Sequence, residues 1–210
     1  MPTRRSILML LLLTMPLLGG GKCAFFYSSG DDDDDDKEAN ETDLVVVVGE
    51  GTLVDAPVQG VRYESGSLTG ITGNNGEFRY EVGNTVRFSI GDIVLGGPIA
   101  GKALVTPLDM VENGTADTPA VINIARLLQS LDSEPGDEVI TIPQEVRAAA
   151  LHSNEALSSA IEILDFSDEA AFVNAASQLV AVLTGDYPFT AVLVDADQAR
   201  AHLTRSLGAR

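Results

Sequence analysis

Apolar and polar residues alternate cleanly at Phe78-Arg79-Tyr80-Glu81-Val82 and at Val86-Arg87-Phe88-Ser89-Ile90. Such period-two patterning marks strands with one face buried and one face wet, as in antiparallel sheets. Val58, Val61 and Tyr63 alternate in part, and Leu44–Val48 is a continuous apolar run of strand length. Turn signals separate these segments. Asn74-Asn75-Gly76 accepts the positive φ angles of a tight hairpin turn, while Gly83-Asn84 and Gly91-Asp92 punctuate the next two strands. Residues 44–108 are thus expected to form an antiparallel β-sandwich-like module.

From residue 109 onward the period lengthens to that of helices. Thr118-Pro119 is a start signal, a capping hydroxyl followed by Pro at the first helical position. Val121, Ile124, Ala125 and Leu128 then follow at i, i+3, i+4 and i+7, widened by Leu127 and Leu131. Asn123, Arg126, Gln129 and Ser130 fall on the other side, which this pattern makes the wet face. There, Arg126 is expected to pair with an acid of the β module and fix how the two halves dock. Pro143 opens a second helix, Asn154 to Leu164 spans a third, and Ser167 caps a fourth that reaches about Leu183. Asp195 starts the last, with Gln198 as capping-box partner and Val194 as staple. Strands followed by about five short helices predict an α+β fold, with residues 109–210 as a small all-helical bundle.

The N-terminus reads as an address. Arg4 and Arg5 precede an apolar run from Ile7 to Leu18, followed by Gly19-Gly20-Gly21 and Cys23. Residues 1–22 have the plan of an export signal. Its apolar run, ~12 residues, is short of the ~20 that a spanning helix needs. Thr3-Arg4-Arg5 hints at a twin-arginine signal, whereas the leucine-rich run favours the general secretory route. Cys23 is the sole cysteine, which excludes an intramolecular disulfide. Cleavage before Cys23 would expose it for lipid attachment; Gly20 and Gly21 suit that pattern and Lys22 does not. The alternative is an ordinary signal cut near Gly19–Gly21, giving a soluble periplasmic or secreted protein with a free thiol. Residues 23–43 form an acidic tether, because the run Asp31–Asp36 repels itself and cannot pack.

Charge narrows the partners. The 210-residue chain carries a formal −18, and loss of Arg4, Arg5 and Lys22 with the signal leaves −21. Residues 31–43 set nine acids against Lys37, so the folded part is acidic as well. Nucleic acid binding needs a basic footprint that is absent here, while divalent cations or basic partners suit such a surface. The best candidate site is Asp132, Glu134, Asp137 and Glu138, four carboxylates within one loop that suggest a weak Ca2+ site. Gly136 and Asp137 fall at the fifth and sixth positions, so the EF-hand ladder fails and a solvated acidic turn is the simpler reading. His152 and His202 lie roughly 50 residues apart with no cysteine in the body to join them in a metal site. His202, beside Leu203, reads as a packing or cap residue. Asp109 and Glu112 could do acid–base work, though such pairs arise constantly in acidic chains. With no nucleophile elbow, phosphate loop or His-Glu zinc motif, no catalytic residue and no cofactor is assigned.

Two resemblances add to this reading. Gly51-Thr52-Leu53-Val54-Asp55-Ala56-Pro57-Val58-Gln59-Gly60-Val61, with Thr72-Gly73-Asn74-Asn75-Gly76-Glu77-Phe78, resembles the carboxypeptidase regulatory-like, transthyretin-like β-sandwich. That family implies a non-catalytic module on secreted and surface proteins. Residues 88–96, Val105-Thr106-Pro107-Leu108-Asp109, the segment Asn123–Asp132 and Ala201-His202-Leu203 together resemble an uncharacterised envelope module of gram-negative bacteria. Its members are named adhesins, lipoproteins or carboxypeptidase regulatory-like proteins. The chain is therefore expected to be an exported, lipid-anchored, non-catalytic envelope protein, outer-membrane or periplasm-facing, that binds a protein or glycan or serves as a structural module. The alternative is a hydrolase-associated domain or weak enzyme acting on envelope or extracellular polymers.

Overall fold

The computed structural model describes residues 46–208; the export signal, Cys23 and the tether lie outside the described residues. The fold is α+β, with strands first and five helices after them. Strand β1 (Val48–Leu53) begins where the apolar run 44–48 ends. It is flanked by β5 (Glu77–Glu81), antiparallel, and by β9 (Leu104–Val105), parallel. A second sheet runs in the order β4 (Leu68–Ile71), β3 (Arg62–Ser65), β6 (Thr85–Ile90) and β7 (Ile93–Val94), with β8 (Ile99–Ala100) also paired to β6.

Aromatic rings from the two sheets fill the space between them. Phe78 of β5 meets Phe88 of β6 edge-on with centroids 5.1 Å apart, and Tyr63 of β3 lies 6.0 Å from Phe78. Each buried Phe ring contributes about 1.5–3 kcal/mol through burial, with a further increment from the edge-to-face geometry. Glycines make room for these rings. Gly49 faces Tyr80 and Gly51 faces Phe78 across the β1–β5 ladder. A Cβ on Gly51 would lie 2.5 Å from Phe78 Cζ and 2.4 Å from the Lys102 carbonyl oxygen.

The turn chemistry is as expected in one place and redirected in another. Gly91-Asp92 closes the β6–β7 hairpin, with Ile90 opposite Ile93 and Gly91 at φ 56°. Asn74-Asn75-Gly76, by contrast, joins no hairpin. It carries the chain from β4 in one sheet to β5 in the other, with Gly76 at φ 77° and its N–H bonded to the Gly73 carbonyl. A positive-φ turn serves both tasks equally, since the local geometry does not fix whether the flanking strands pair.

The five helices are α1 (Pro119–Ser130), α2 (Gln144–Ala149), α3 (Glu155–Glu162), α4 (Glu169–Leu183) and α5 (Ala196–Gly208). Asp168 caps α4 by accepting from the Ala171 N–H, in place of the expected Ser167, whose hydroxyl donates to Asp165. The bundle is not purely helical. Strand β10 (Ile140–Thr141) pairs in parallel with β2 (Val58–Gln59), stitching the helical half to the β half. One apolar core runs through both, from Leu53, Phe78 and Phe88 to Leu127, Leu128, Phe172 and Leu179. Helix α1 is enclosed on almost every side, because α4 and α5 both pack on it.

That enclosure overturns the wet face assigned to α1. Asn123 is fully buried, Ser130 nearly so, and Arg126 is 6% exposed. Arg126 pairs with Glu169 of α4 at 2.9 Å, not with an acid of the β module. Its guanidinium also donates to the Val194 carbonyl and to Asn123 Oδ1, and lies 5.1 Å from the Phe172 ring centroid. The cation thus locks the helical half internally.

Candidate functional site at the junction of the two halves

One polar contact between the halves comes from the β side as a fully buried acid, Asp55. Following β1, the chain reverses through Val54-Asp55-Ala56-Pro57, closed by a bridge between Val54 and Pro57. Ala56 takes φ 80°, a backbone region unfavourable for a residue with a Cβ. The turn drives Asp55 into the interior, where it is 0% exposed.

A buried carboxylate needs donors, and two helices supply them. Gln129 Nε2 of α1 donates to Asp55 Oδ2 at 2.8 Å, and His202 Nδ1 of α5 lies 3.2 Å from Oδ1. One turn further along α5, Ser206 Oγ donates to the Asp55 backbone carbonyl at 3.2 Å. Burial pushes the Asp55 carboxyl above the ordinary carboxylate range, outweighing the hydrogen bonds from His202 and Gln129 that pull it down.

His202 therefore does more than pack. Its Nδ1 faces the buried acid, while the side chain stays 34% exposed at the wall of a pocket of about 610 Å³. Ala56, Pro57 and Asn75 form the β side of this pocket, and His202, Arg205 and Ser206 form the α5 side. Asp137, Glu138 and Val139 complete it from the loop between α1 and β10. The loop approaches because the β2–β10 pairing sets Ile140 beside Val58.

The four carboxylates of that loop separate. Asp132 Oδ1 turns back to accept from the Glu134 and Thr141 N–H groups, and half-burial raises its carboxyl above the usual range. Asp137 accepts from the Val139 N–H, and Glu134 and Glu138 are exposed. Only Asp137 and Glu138 reach the pocket. No group of three or more His, Cys, Asp or Glu that could hold a metal ion occurs among the described residues.

Of the other candidates Asp109 and His152 have structural partners, whereas Glu112 is exposed and makes no hydrogen bond or ion pair among the described residues. Asp109 accepts from the Thr106 N–H and hydroxyl and from Lys102 Nζ, at the start of the 3-10 turn Pro107–Met110. His152 Nδ1 lies 3.0 Å from Asp92, which also accepts from the His152 N–H; these bonds hold the Asp92 carboxyl below the usual range. The sequence held one usable signal for the junction: an acid in a turn that otherwise reads as apolar strand, Leu53-Val54-Asp55-Ala56-Pro57-Val58. Its partners are 74 and 147 residues away, beyond the reach of pattern reading.

Fold and site together describe an α+β protein with a polar pocket where a two-sheet β part meets a helical part. No family model matches the chain, and no solved structure matches it. Over 105 residues, 49% of the chain, it is 30% identical to "Putative lipoprotein AcfD homolog" of Escherichia coli (strain K12). Over the same length it is 29% identical to "Putative lipoprotein YghJ" of Escherichia coli O78:H11 (strain H10407 / ETEC). The matched stretch spans 7% of each of these relatives.

Proposed function

We propose that the chain is an exported, lipid-anchored envelope protein whose folded part is a non-catalytic binding module. The observation that carries this reading is the likeness of half the chain to proteins named as lipoproteins, joined to a cysteine placed directly behind an export-signal pattern. The acidic segment 31–43 then spaces the body from the lipid surface. The two-sheet β part supports the carboxypeptidase regulatory-like reading of residues 44–108, and the junction pocket is the place for a partner. Expression with a clickable palmitate analogue tests the anchor. The wild-type chain is expected to label and to fractionate with membranes, and Cys23→Ser to do neither; identical behaviour of the two defeats the lipid anchor.

The Asp55–His202 pair favours a second reading, that of a weak enzyme acting on envelope or extracellular polymers. A carboxylate on Nδ1 orients an imidazole whose other nitrogen can move a proton. Ser206 Oγ is committed to the Asp55 carbonyl and is not poised as a nucleophile for His202. The first reading therefore stands ahead. Turnover of an envelope polymer that is abolished by His202→Gln in a folded protein would reverse the order.

A further inference from the structure

The pocket's lining has a chemistry that selects among ligands. On one wall Asp137 and Glu138 present carboxylates; on the other Arg205 presents a guanidinium that makes no ion pair within the described residues. Asp137 uses Oδ1 on the Val139 N–H, leaving Oδ2 and both Glu138 oxygens for a guest. Between the walls, His202 is anchored through Nδ1, and its Nε2 has no hydrogen-bond partner among the described residues. Ala56, Pro57 and Val139 supply apolar surface.

Each simple ligand class meets an opponent in this arrangement. An anion held by Arg205 would face two carboxylates, and a cation held by those carboxylates would face the guanidinium. A hydroxyl suits every group present, since it donates to Asp137 or Glu138 and accepts from Arg205. It also serves His202 Nε2 in either protonation state, as acceptor or as donor. Several hydroxyls on a ring with an apolar C–H face would match the apolar surface as well. The volume, about 610 Å³, lies in the range of small-ligand sites.

We propose that the junction pocket is a saccharide-binding site for neutral, polyhydroxylated sugars, with Glu138, Asp137, Arg205 and His202 as the hydrogen-bonding groups and Asp55 as the positioning residue behind His202. This inference rests on the binding-module reading and specifies its ligand.

The full-length wild-type chain, purified in detergent, would be applied to an array of neutral, amino and acidic oligosaccharides, and the best neutral hit titrated by calorimetry. One-to-one binding is expected, weakened about tenfold by Arg205→Ala and by Glu138→Gln, since each removes a charge-assisted hydrogen bond. Both residues are exposed, so their replacement should leave the melting temperature in place, which separates lost binding from lost fold. His202→Gln should weaken binding too, and Asp55→Asn should weaken it without touching the ligand. Absence of binding to every neutral oligosaccharide by the folded protein overturns the proposal. Binding that is insensitive to Arg205 and Glu138, or confined to charged sugars, overturns it as well. Lipid labelling at Cys23 is read independently, so failure here leaves the anchor standing; a peptide found in the pocket would keep the binding module and discard the sugar.

Discussion

Replacing Asp55 by alanine and by asparagine separates what its shape contributes from what its charge contributes. Alanine removes the acceptor shared by Gln129 Nε2 and His202 Nδ1 and leaves a small void under the Ala56 turn. A donor stranded in the interior costs about 1–3 kcal/mol. His202 is one-third exposed and can turn to water, so its share falls at the low end; Gln129 keeps only a long contact of 3.4 Å to the Ala199 carbonyl. The expected loss for Asp55→Ala is about 2–3 kcal/mol, or roughly 5–10 °C in Tm for a chain of this size. Asparagine keeps the volume and an acceptor for Gln129 while removing a charge that burial disfavours. Asp55→Asn should therefore stay within about 1 kcal/mol of wild type at neutral pH.

The pH dependence gives a sharper test of the same reasoning. Burial raises the folded-state pKa of Asp55 above 3.8, so over the interval between 3.8 and that raised value the folded state holds more protons than the unfolded chain. Stability from this group is fully present below pH 3.8 and is lost as pH rises through the folded-state pKa. The stability of Asp55→Asn relative to wild type should consequently improve with rising pH across this window and level off above it. Urea denaturation from pH 4 upward measures both effects. If Asp55→Asn fell as far as Asp55→Ala at neutral pH, the ionised carboxylate with His202 would be a net stabiliser and the dominance of desolvation would be refuted.

Other outcomes follow from the packing. Gly51→Ala places a methyl against the Lys102 carbonyl and the Phe78 ring and should cost about 2–3 kcal/mol in chemical denaturation. Gly83→Ala meets nothing within 4 Å and should cost about 1 kcal/mol through its positive φ alone. Arg126→Ala strands the Val194 carbonyl and Asn123 Oδ1 and should cost about 3 kcal/mol, whereas Glu169→Gln, at a site 59% exposed, should cost under about 1 kcal/mol by the same measurement. Melting curves with calcium and with chelator should coincide, because the loop carboxylates Asp132 and Asp137 are engaged by backbone N–H groups; a calcium-dependent rise of several degrees would refute this.

Features read over a few residues were legible in the sequence, and features that depend on distant partners were not. Alternation at Phe78–Tyr80 and Val86–Ile90 located β5 and β6 because the half-buried face of a strand is written at period two, but it breaks at the end of β5, where Glu81 is buried and Val82 exposed. Thr118-Pro119, Pro143 and Asn154 marked helix starts because such signals are local, although only Asn154 caps its helix with a side chain and the Thr118 hydroxyl accepts from the Thr115 N–H instead. Helix α1 misled for a definite reason. Its polar residues mark a side that in most helices meets water, yet here α4, α5 and the segment before α5 cover it, and Asn123, Arg126 and Ser130 satisfy one another and nearby backbone instead. Two-residue strands such as β10 leave no periodicity to read. The acidic loop was visible as composition, but its carboxylates were divided between backbone capping and the pocket by a pairing 82 residues distant, Ile140 with Val58.

Asp55 also bears on why the two halves hold a fixed relation. Apolar packing between them is extensive but weakly directional, since a methyl surface tolerates sliding that a hydrogen bond does not. At the junction, direction comes from backbone and polar contacts: the β2–β10 ladder, Arg147 donating to the Gly60 and Ile142 carbonyls, and the donors that α1 and α5 aim at Asp55. A shift of α5 along its axis by one turn, about 5.4 Å, would break both the His202 and the Ser206 contacts to Asp55 as they stand. Burial thus disfavours the charge of Asp55, while the hydrogen bonds that it accepts favour one register. Because that register also decides which α5 side chains face Asp137 and Glu138, a residue with no access to solvent sets the composition of the pocket wall.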